Sequence, residues 1–465
     1  MSISYFLKIK IQKTLFFPSH NRGNALPKEI INLLNKRPGL WDLPDLPEIG
    51  SSISNNGLVS EAQNYFSEIF NVKNCWFGVN GATSLIQAAI LTLAKPGDYI
   101  LVPRNVHICV IKICIVSNII PIFFDLPYEE KTAHYKPITS EWLKNILSSE
   151  SLENKKIAGA VIIHPYYQGY SSDLDKLIEI FHKQKIPVLV DEAHGSYFVF
   201  CEDLGLPKSA LRTKADLVVH SLHKSLNGLT QTAILWHLGH QINKKELANN
   251  INLLQTTSQN SLLLASCEES IKDWLNKYSL KKYKKRIFEA HNIFAKLTNK
   301  GIPLLETQDP LKIILHTGKF GIDGFTADKF FYENGLVAEL PEVMTLTFCL
   351  GFAKQNDFVN ILSQLWNKLI LKKSHQFNFE NLKPPFKPVQ IPEMKPSEAW
   401  RKESYKVPIK DAIGKISAEI ICPYPPGIPL IIPGERIDKD RVNWLLANKL
   451  YNNDLVNSYL KVIKN

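Results

Sequence analysis

The chain has 465 residues, of which 45% are hydrophobic and 21% are charged. This balance predicts a soluble globular protein with a sizeable core and argues against a largely disordered chain. The net charge of +11 is spread along the chain, apart from one cluster on a predicted helix: Lys277, Lys281, Lys282, Lys284, Lys285 and Arg286. A solvated helix face accounts for this cluster, and no nucleic-acid-binding motif accompanies it.

The cysteines and the apolar runs indicate the cellular compartment of the protein. The seven cysteines are odd in number and widely spaced, and no Cys-x-x-Cys occurs. We therefore expect neither a disulfide framework nor a zinc site. The first residues lack the pattern of a signal peptide, and no apolar run approaches the roughly 18 residues that span a bilayer. We expect a cytoplasmic, soluble protein that is not held in a membrane.

The first 60 residues mix short apolar stretches with Pro, Gly and Asn, and predict an arm with one short helix near residues 27–35. From about Asn74, short apolar runs alternate with helical patterns at residues 83–93 and 174–184. The predicted strands cover residues 75–79, 99–102, 119–124, 158–163, 187–190 and 216–219. Buried strands separated by helices indicate an α/β fold with a parallel sheet and right-handed crossovers.

The second half of the chain begins with helical patterns. Helices are predicted over residues 244–254 and 262–294, followed by a strand at 311–315 and a helix near 327–334. Residues 372–396 are rich in Pro and Lys and predict a linker or domain boundary. A terminal helix is predicted in the tail from residue 404 onwards.

Polar residues follow several predicted strands, and ligands of open α/β sheets bind at the carboxyl ends of strands. After the first strand comes Asn80-Gly-Ala-Thr-Ser84, at the start of a helix. Gly81 lets a ligand approach the backbone. The helix-start amides, with the hydroxyls of Thr83 and Ser84, suit a phosphate. An ordinary helix cap explains the same residues equally well.

A second strand ends in Asp191-Glu-Ala-His-Gly195. A carboxylate is costly to bury without a cation, and a protonated pyridine nitrogen would supply one. Pyridoxal phosphate (PLP) chemistry needs this carboxylate, because it keeps the ring protonated and able to accept electrons. Asp191 could instead cap the next loop. Metal binding by Asp-Glu-x-His lacks a second ligand cluster.

A third motif is Ser221-Leu-His-Lys-Ser225, 33 residues after Asp191. A lysine next to a buried strand can have its amine activated for Schiff-base formation, although a single lysine is usually a surface charge. Ser221 and His223 lie within range of a phosphate. The fourth motif, Arg104-Asn-Val-His107, offers an imidazole that could stack on a pyridine, or an ordinary core or surface histidine. Together the four motifs suit one PLP.

These segments resemble the bacterial ornithine/lysine/arginine decarboxylases, a family of fold-type-I PLP enzymes. The core of the resemblance covers residues 191–195, 215–226 and 229–233. It continues at residues 80–84, 104–107, 254–258, 262–266, 414–418, 424–429 and 433–435. The likeness spans about residues 18–440 in the short form, without an amino-terminal receiver-like domain. It implies a PLP-dependent-transferase-like large domain with a mostly parallel sheet, plus smaller α+β C-terminal domains.

The resemblance implies four regions. We expect an N-terminal arm with entrance loops over residues 1–60 and a PLP-binding large domain over 61–270. A small α/β domain would follow at 271–375, and a decarboxylase-type C-terminal domain at 376–465.

The resemblance also assigns roles to matching residues. Lys224, which would carry PLP, is a predicted catalytic residue together with His223 and Asp191. Glu339 matches an acidic residue that faces the distal amine of the substrate in relatives. No metal ligand is predicted. The predicted cofactor-binding residues are Gly81, Ala82, Thr83, His107, Asp191, Ala193, His194, Ser221, His223 and Lys224.

Three departures from the family concern the pocket entrance. His107 is followed by Ile108-Cys109 where relatives have Lys-Ser, and Pro18-Ser-His20 stands where relatives have Pro-Gly-His. The entrance loop keeps only Asp45-Leu-Pro and continues as Glu48-Ile-Gly-Ser-Ser. The choice of substrate is therefore less defined than the type of reaction.

The implied activity is α-decarboxylation of lysine, arginine or ornithine to a diamine or polyamine precursor and CO2. Relatives build the site at a dimer interface, so at least a homodimer is expected, with residues 229–232 serving the neighbouring subunit's phosphate. An aminotransferase or an aldolase-like lyase stays open as an alternative. A non-catalytic regulator of polyamine metabolism also stays open, although the intact Asp191, His223 and Lys224 argue against it.

Overall fold

A computed structural model describes residues 13–37, 39–44, 46–372, 379–423, 427–447 and 459–464. Asp45 of the entrance loop and Tyr424 of the C-terminal motif lie outside the described residues. The helices are α1 Lys28–Leu34, α2 Leu58–Phe70, α3 Gly81–Leu93, α4 Ile108–Ser117, α5 Ser140–Leu147, α6 Leu174–Lys183, α7 Leu222–Ser225, α8 Lys244–Leu254, α9 Ser261–Leu275, α10 Lys277–Asn299, α11 Gly324–Glu333, α12 Phe358–Lys372, α13 Pro396–Arg401 and α14 Lys439–Ala447.

The strands alternate with these helices over the first half of the chain. They are β1 Lys13–Thr14, β2 Asn74–Gly78, β3 Tyr99–Pro103, β4 Ile120–Phe124, β5 Tyr128–Glu129, β6 His134–Tyr135, β7 Ile157–Ile163, β8 Val188–Asp191, β9 Leu217–Ser221, β10 Ala233–His237, β11 Leu304–Leu305, β12 Lys312–Leu315, β13 Leu336–Val337, β14 Leu340–Pro341, β15 Leu346–Cys349, β16 Val389–Gln390, β17 Ser404–Pro408 and β18 Tyr459–Ile463.

The main sheet has eight strands in the order β16-β4-β3-β7-β8-β9-β10-β2. Strands β4, β3, β7, β8 and β9 are parallel. Strand β10 is antiparallel to both β9 and β2, and β16 is antiparallel to β4. Because β10 reverses direction between β9 and β2, the carboxyl end of β2 returns to the same sheet edge as those of the parallel strands. The predicted fold-type-I architecture is confirmed.

Hydrophobic cores lie on both faces of the main sheet. Within β8, Val188 and Val190 belong to one core, while Leu189 between them belongs to the other. Successive side chains of a strand point to opposite faces, so a strand covered on both sides reads as a continuous apolar run. This is why the parallel strands of the main sheet were recognisable from short apolar runs.

Two smaller units follow the main sheet. A four-stranded antiparallel sheet has the order β11-β12-β15-β14 and packs against α11. The last unit is built on the pair β17–β18 and has a separate core. Strand β16 precedes this unit and pairs with β4, so residues predicted as a linker add a strand to the main sheet. None of the described helices is long and apolar enough to cross a membrane.

The last unit is fastened to the main sheet by a buried charge cluster. Glu435 accepts hydrogen bonds from the Arg104 guanidinium at 2.6 Å and from Arg441 at 3.0 Å. All three side chains are at most 1% exposed. The Arg104 guanidinium lies over the rings of Phe123 and Phe386 at 4.0 and 4.6 Å. Arg104 and Glu435, both in segments that resemble the family, therefore join the two units.

Several sequence-based expectations need correction. The helix predicted over residues 262–294 is two helices, because Asn276 ends α9 and caps α10. Strand β10 and helices α2, α4 and α5 were not predicted. The basic cluster does lie along α10, where Lys284 pairs with Asp203 and Arg286 with Glu289.

Candidate active site

A cavity of about 470 Å³ opens at the carboxyl ends of the parallel strands. All ten residues predicted to bind the cofactor line this cavity. They come from the ends of β2, β3, β8 and β9, which reach one sheet edge because those strands run in the same direction. The volume lies within the range of small-molecule sites.

One end of the cavity is the first turn of α3. Gly81 has φ +75°, and a β-carbon there would meet no atom within 4 Å, so the backbone itself faces open space. Thr83 lines the cavity, but Ser84 does not. Ser84 is 5% exposed, and its hydroxyl donates to the Gly81 carbonyl at 3.2 Å. The predicted phosphate contact therefore fits the Gly81, Ala82 and Thr83 positions and not the Ser84 hydroxyl.

Lys224 extends into the cavity from the short helix after β9. Its Nζ lies 3.0 Å from His194 Nε2. Burial lowers the pKa of Lys224 from its ordinary value of 10.5, although the charges of Asp191 and Glu339 oppose this and Lys312 adds to it. A lysine held in this way has a larger unprotonated fraction at neutral pH, which is the form that attacks a carbonyl.

Asp191 ends β8 and is 7% exposed. Its Oδ1 accepts a hydrogen bond from the Ala193 amide at 3.1 Å. Burial raises the pKa of Asp191, against the opposing charge of Lys224. A buried carboxylate of this kind is stabilised as an anion by a cationic partner in the cavity.

A buried hydrogen-bond chain lies next to Asp191. Trp236 Nε1 donates to His220 Nδ1 at 3.1 Å, and His220 Nε2 lies 2.6 Å from Glu192. Glu192 also accepts from Ser209 and from the Ala210 amide, both at 2.8 Å. Glu192 is thus engaged away from the cavity, while its neighbour Asp191 faces it. These partners separate the two adjacent carboxylates into a structural and a cavity-facing one.

Burial favours the neutral rings of His223 and His107 in the cavity. His223 Nδ1 lies 3.3 Å from the Thr232 carbonyl, which only accepts, so Nδ1 carries the proton and Nε2 is the acceptor. Burial and the charge of Lys224 lower the pKa of His223 to about 4. The same causes, with Lys112, lower the pKa of His107 to about 4. His107 also caps α4, with its Nδ1 accepting from the Cys109 amide at 3.3 Å.

The donor set of this cavity fits PLP. The helix start offers amides to a phosphate, and Asp191 offers a buried carboxylate to a ring cation. His194 Nδ1 is buried and, among the described residues, has no hydrogen-bond partner. Such an orphaned polar atom beside Lys224 is explained by a polar ligand that completes the site.

Further polar residues of the cavity lining were not predicted from the sequence: Tyr128, His134, Tyr167, Gln168 and Glu342. Tyr167 and Gln168 closely follow β7, so the strand-end pattern that revealed Asp191 would have revealed them too. His134 begins the two-residue strand β6, and Glu342 directly follows the two-residue strand β14. No sequence pattern marks those positions.

The last unit of the chain forms an apolar wall of the cavity. It contributes Pro423, Gly427, Ile428, Leu430 and Trp444, and the segment before β16 adds Leu382, Pro384 and Phe386. The predicted C-terminal region therefore borders the site directly. Sequence motifs such as Pro433-Gly-Glu435 indicated the unit but not its contact with the cavity.

Glu339 lies outside the residues that line the cavity. Its Oε2 accepts from the Phe17 amide at 2.8 Å, and its Oε1 accepts from the Tyr167 hydroxyl. The charge of Glu339 nevertheless raises the pKa of Lys224. The substrate-binding role of Glu339 stays a prediction.

The N-terminal segment also reaches the site. The Ser19 amide donates to the His223 carbonyl at 3.0 Å, and its hydroxyl bonds Asn227. The Phe17 ring packs against His194 with centroids 5.3 Å apart. The described part of the arm predicted over residues 1–60 thus contacts the short helix α7, which carries Lys224.

Comparison with known families identifies the chain. The profile described as "Orn/Lys/Arg decarboxylase, major domain" matches residues 11–302, and that of the C-terminal domain matches residues 379–455. The chain belongs to this decarboxylase family. The family consists of PLP-dependent amino-acid decarboxylases, and PLP is the cofactor of this member.

Related proteins cover nearly the whole decarboxylase. It is 28% identical to the arginine decarboxylases of Bacillus anthracis and of Bacillus subtilis strain 168, over 93% of its own length and 89% of theirs. The crystal structure of a Francisella novicida lysine decarboxylase has a TM-score of 0.75 and 20% identity, covering 90% of this chain and 74% of that one. The structural likeness shows the shared fold.

Proposed function

We propose that this decarboxylase removes the α-carboxylate of a basic L-amino acid, namely arginine, lysine or ornithine, and releases the corresponding diamine or polyamine precursor and CO2. The observation that carries the proposal is the distribution of charge in the cavity. The described lining holds one lysine, Lys224, and no arginine, while Glu342 supplies a carboxylate in addition to Asp191. The names of the arginine and lysine decarboxylases among its relatives support the same substrate class.

PLP, when bound, supplies an electron sink for the pair released as the bond between Cα and the carboxylate breaks. Lys224 would hold the cofactor and would yield its place to the substrate amine. Asp191 would pair with the pyridine nitrogen and keep it protonated. The phosphate would be held by Gly81, Ala82, Thr83, Ser221 and His223, and the ring by Ala193, His194 and His107.

The final chemical event is the return of a proton to Cα. Lys224 Nζ and His223 are the candidate donors, since both residues line the cavity, and His223 Nε2 donates only after it has itself taken up a proton. The apolar wall from the last unit excludes water during this step. Water exclusion lowers the local dielectric constant and destabilises the carboxylate that leaves as neutral CO2.

The lack of an arginine distinguishes this proposal from transamination. An aminotransferase keeps the α-carboxylate through the reaction and usually binds it with a dedicated arginine. Among the described residues lining the cavity there is none. A carboxylate held without a strong cation is easier to lose, which favours decarboxylation.

The proposal includes the assembly and the setting of the enzyme. We place it in the cytoplasm, in polyamine formation, as a homodimer or higher homo-oligomer. Residues 229–232 would serve the neighbouring subunit's phosphate. In this chain the Gln231 carbonyl accepts from the Gly81 amide at 2.8 Å, so this turn already adjoins the phosphate end. The division into regions 1–60, 61–270, 271–375 and 376–465 is retained as a proposal.

A test of the cofactor lysine uses the holoenzyme. Lys224→Ala should abolish the visible absorbance of covalently held PLP and the release of CO2 from arginine, lysine and ornithine assayed in parallel. Lys112→Ala, an exposed lysine on α4 outside the cavity lining, is the matched control and should keep the absorbance. An unchanged PLP spectrum in Lys224→Ala would refute the assignment. Transfer of the amino group without CO2 release by the wild-type enzyme would refute decarboxylation.

A further inference from the structure

Glu342 is a buried carboxylate on the lining of the cavity. It is 8% exposed and follows β14 in the four-stranded sheet. Tyr128, His134 and Gln168 surround it on the cavity wall. The cavity lining therefore carries the helix start of α3, which suits a phosphate, and the acidic Glu342, together with Lys224.

Neutral donors and a histidine fix the position of the Glu342 carboxylate. Gln168 Nε2 donates to Oε1 at 2.8 Å, and the Thr345 hydroxyl donates to Oε2 at 3.4 Å. His134 Nε2 lies 3.3 Å from Oε2 and 2.9 Å from Thr345 Oγ1. Thr345 and His134 are at most 1% exposed. Because these partners belong to rigid, buried surroundings, the carboxylate is held ready for a ligand.

Within the described part of the chain, Glu342 has no permanent cationic partner. Among the described residues, no lysine or arginine forms an ion pair with it; the recorded partner is His134. Burying a carboxylate without a cation is costly, so a cationic ligand that enters the cavity gains the missing interaction. A carboxylate has about four acceptor positions, and the contacts above leave room for further donors.

Glu339, the acidic residue suggested by family resemblance, is differently placed. The Phe17 amide and the Tyr167 hydroxyl occupy its two oxygens, and it does not line the cavity. Its contacts join the N-terminal segment to the cavity wall. Of the two carboxylates, Glu342 is the one that faces the cavity.

We propose that Glu342 is the specificity-determining residue that receives the distal ammonium or guanidinium of the substrate, with Gln168 and His134 as positioning residues. This inference rests on the proposed decarboxylation of a basic amino acid. A neutral side chain of the same length leaves the carboxylate unpaired, so the enzyme discriminates against it.

The test compares Glu342→Gln with the wild-type enzyme on its preferred basic amino acid. Glutamine keeps the size of the side chain but removes the charge. KM should rise about 10- to 100-fold, the usual worth of a hydrogen bond to a charged group, while kcat changes less than about threefold. Glu342→Asp, which restores the charge, should recover part of the loss. Unchanged cofactor absorbance and circular dichroism establish that the variants fold.

Product binding gives a second readout that needs no turnover. Agmatine, cadaverine or putrescine, matched to the preferred substrate, is titrated into the holoenzyme by calorimetry. We expect its Kd to weaken by the same factor as KM in Glu342→Gln. The matched control is Glu130→Gln. Glu130 is an exposed carboxylate outside the cavity lining, and its charge raises the pKa of Tyr128. This control should change neither KM nor the product Kd.

The two proposals fail in different ways. An active wild-type enzyme whose KM and product Kd are unaffected by Glu342→Gln would overturn the role of Glu342. If Glu339→Gln raised KM and the product Kd more than Glu342→Gln does, Glu339 would be the residue that receives the distal cation. A wild-type enzyme that releases CO2 from none of the three basic amino acids would instead overturn the proposed function.

Discussion

A second lysine, Lys312, shapes the electrostatics of Lys224 at the scale of single residues. Lys312 is 4% exposed, its Nζ lies 4.3 Å from the centroid of the Phe17 ring, and it donates to Cys349 Sγ at 3.3 Å. Lys312 and Lys224 both line a small second cavity. The charge of Lys312 lowers the pKa of Lys224, whereas that of Glu339 raises it. The two residues therefore act on the cofactor lysine in opposite directions.

These opposite effects predict that two substitutions shift the midpoint pH of PLP capture in opposite directions. Only the unprotonated amine of Lys224 attacks the PLP aldehyde, so capture of PLP by the cofactor-free protein speeds up as pH rises through the pKa of Lys224. Burial places that midpoint below 10.5. Lys312→Met removes a repelling cation and should move the midpoint to higher pH. Glu339→Gln removes an attracting anion and should move it to lower pH.

Stopped-flow absorbance at a series of pH values measures the midpoint. Lys144→Met, an exposed lysine on α5, serves as the control and should leave it unchanged. Shifts of the same sign in Lys312→Met and Glu339→Gln would contradict the electrostatic explanation.

Site residues could be predicted where they follow a strand of the main sheet. Asp191, Lys224 and His107 were found because polar residues after apolar runs mark a ligand-binding sheet edge. Glu342 and His134 could not be found in this way. They reach the cavity through the tertiary packing of two-residue strands and the turns beside them. Elements this short leave no periodic signal in the sequence.

At the scale of secondary structure elements, Asn276 divides a long helical pattern in two. Its backbone is extended (φ −69°, ψ 121°), and its side chain accepts from the amides of Tyr278 and Ser279 at 3.0 and 3.2 Å. The pattern across residues 262–294 is helical on both sides of this point, so periodicity alone predicted one helix. An asparagine inside such a pattern is a start signal because its side chain can replace missing backbone partners.

Asn276→Ala should reduce the free energy of unfolding by about 1 kcal/mol, the usual cost of losing an N-cap. Urea denaturation followed by circular dichroism measures the change. Lys285→Ala, at an exposed position in the middle of α10, should change stability by less than about 0.5 kcal/mol. Equal effects of the two substitutions would show that the cap contributes nothing.

Strand β10 illustrates another limit of sequence-based prediction. Its apolar residues resemble those of the parallel strands, yet it runs antiparallel between β9 and β2. Both edges of β10 make ladder hydrogen bonds, so its direction is decided by its neighbours and by the turn at residues 228–232. Composition and periodicity carry no information about strand direction.

At the scale of the whole molecule, the main feature is how the last unit is attached to the main sheet. Glu435 is the shared partner of two buried arginines, Arg104 and Arg441. Removing one partner of a buried ion pair leaves an uncompensated charge and typically costs about 3–5 kcal/mol. We therefore expect Glu435→Ala to lower the free energy of unfolding by about that amount and to loosen the apolar wall of the cavity.

Denaturant unfolding of the holoenzyme tests this expectation against Glu393→Ala. Glu393 pairs with Arg436, but both side chains are about half exposed, at 49% and 50%. An exposed pair contributes about 1 kcal/mol or less. A loss in Glu435→Ala no larger than in Glu393→Ala would show that the buried cluster does not hold the unit in place.

The separation of Arg104 and Glu435 along the chain also has a consequence in time. The two residues are 331 positions apart. At about 5–20 residues per second, a ribosome needs roughly 15–65 s to make the chain between them. Once β10 has been made, the central strands of the main sheet carry an arginine whose buried partner does not yet exist. The cavity consequently acquires its last wall only near the end of synthesis, so a nascent chain emerges without a finished site.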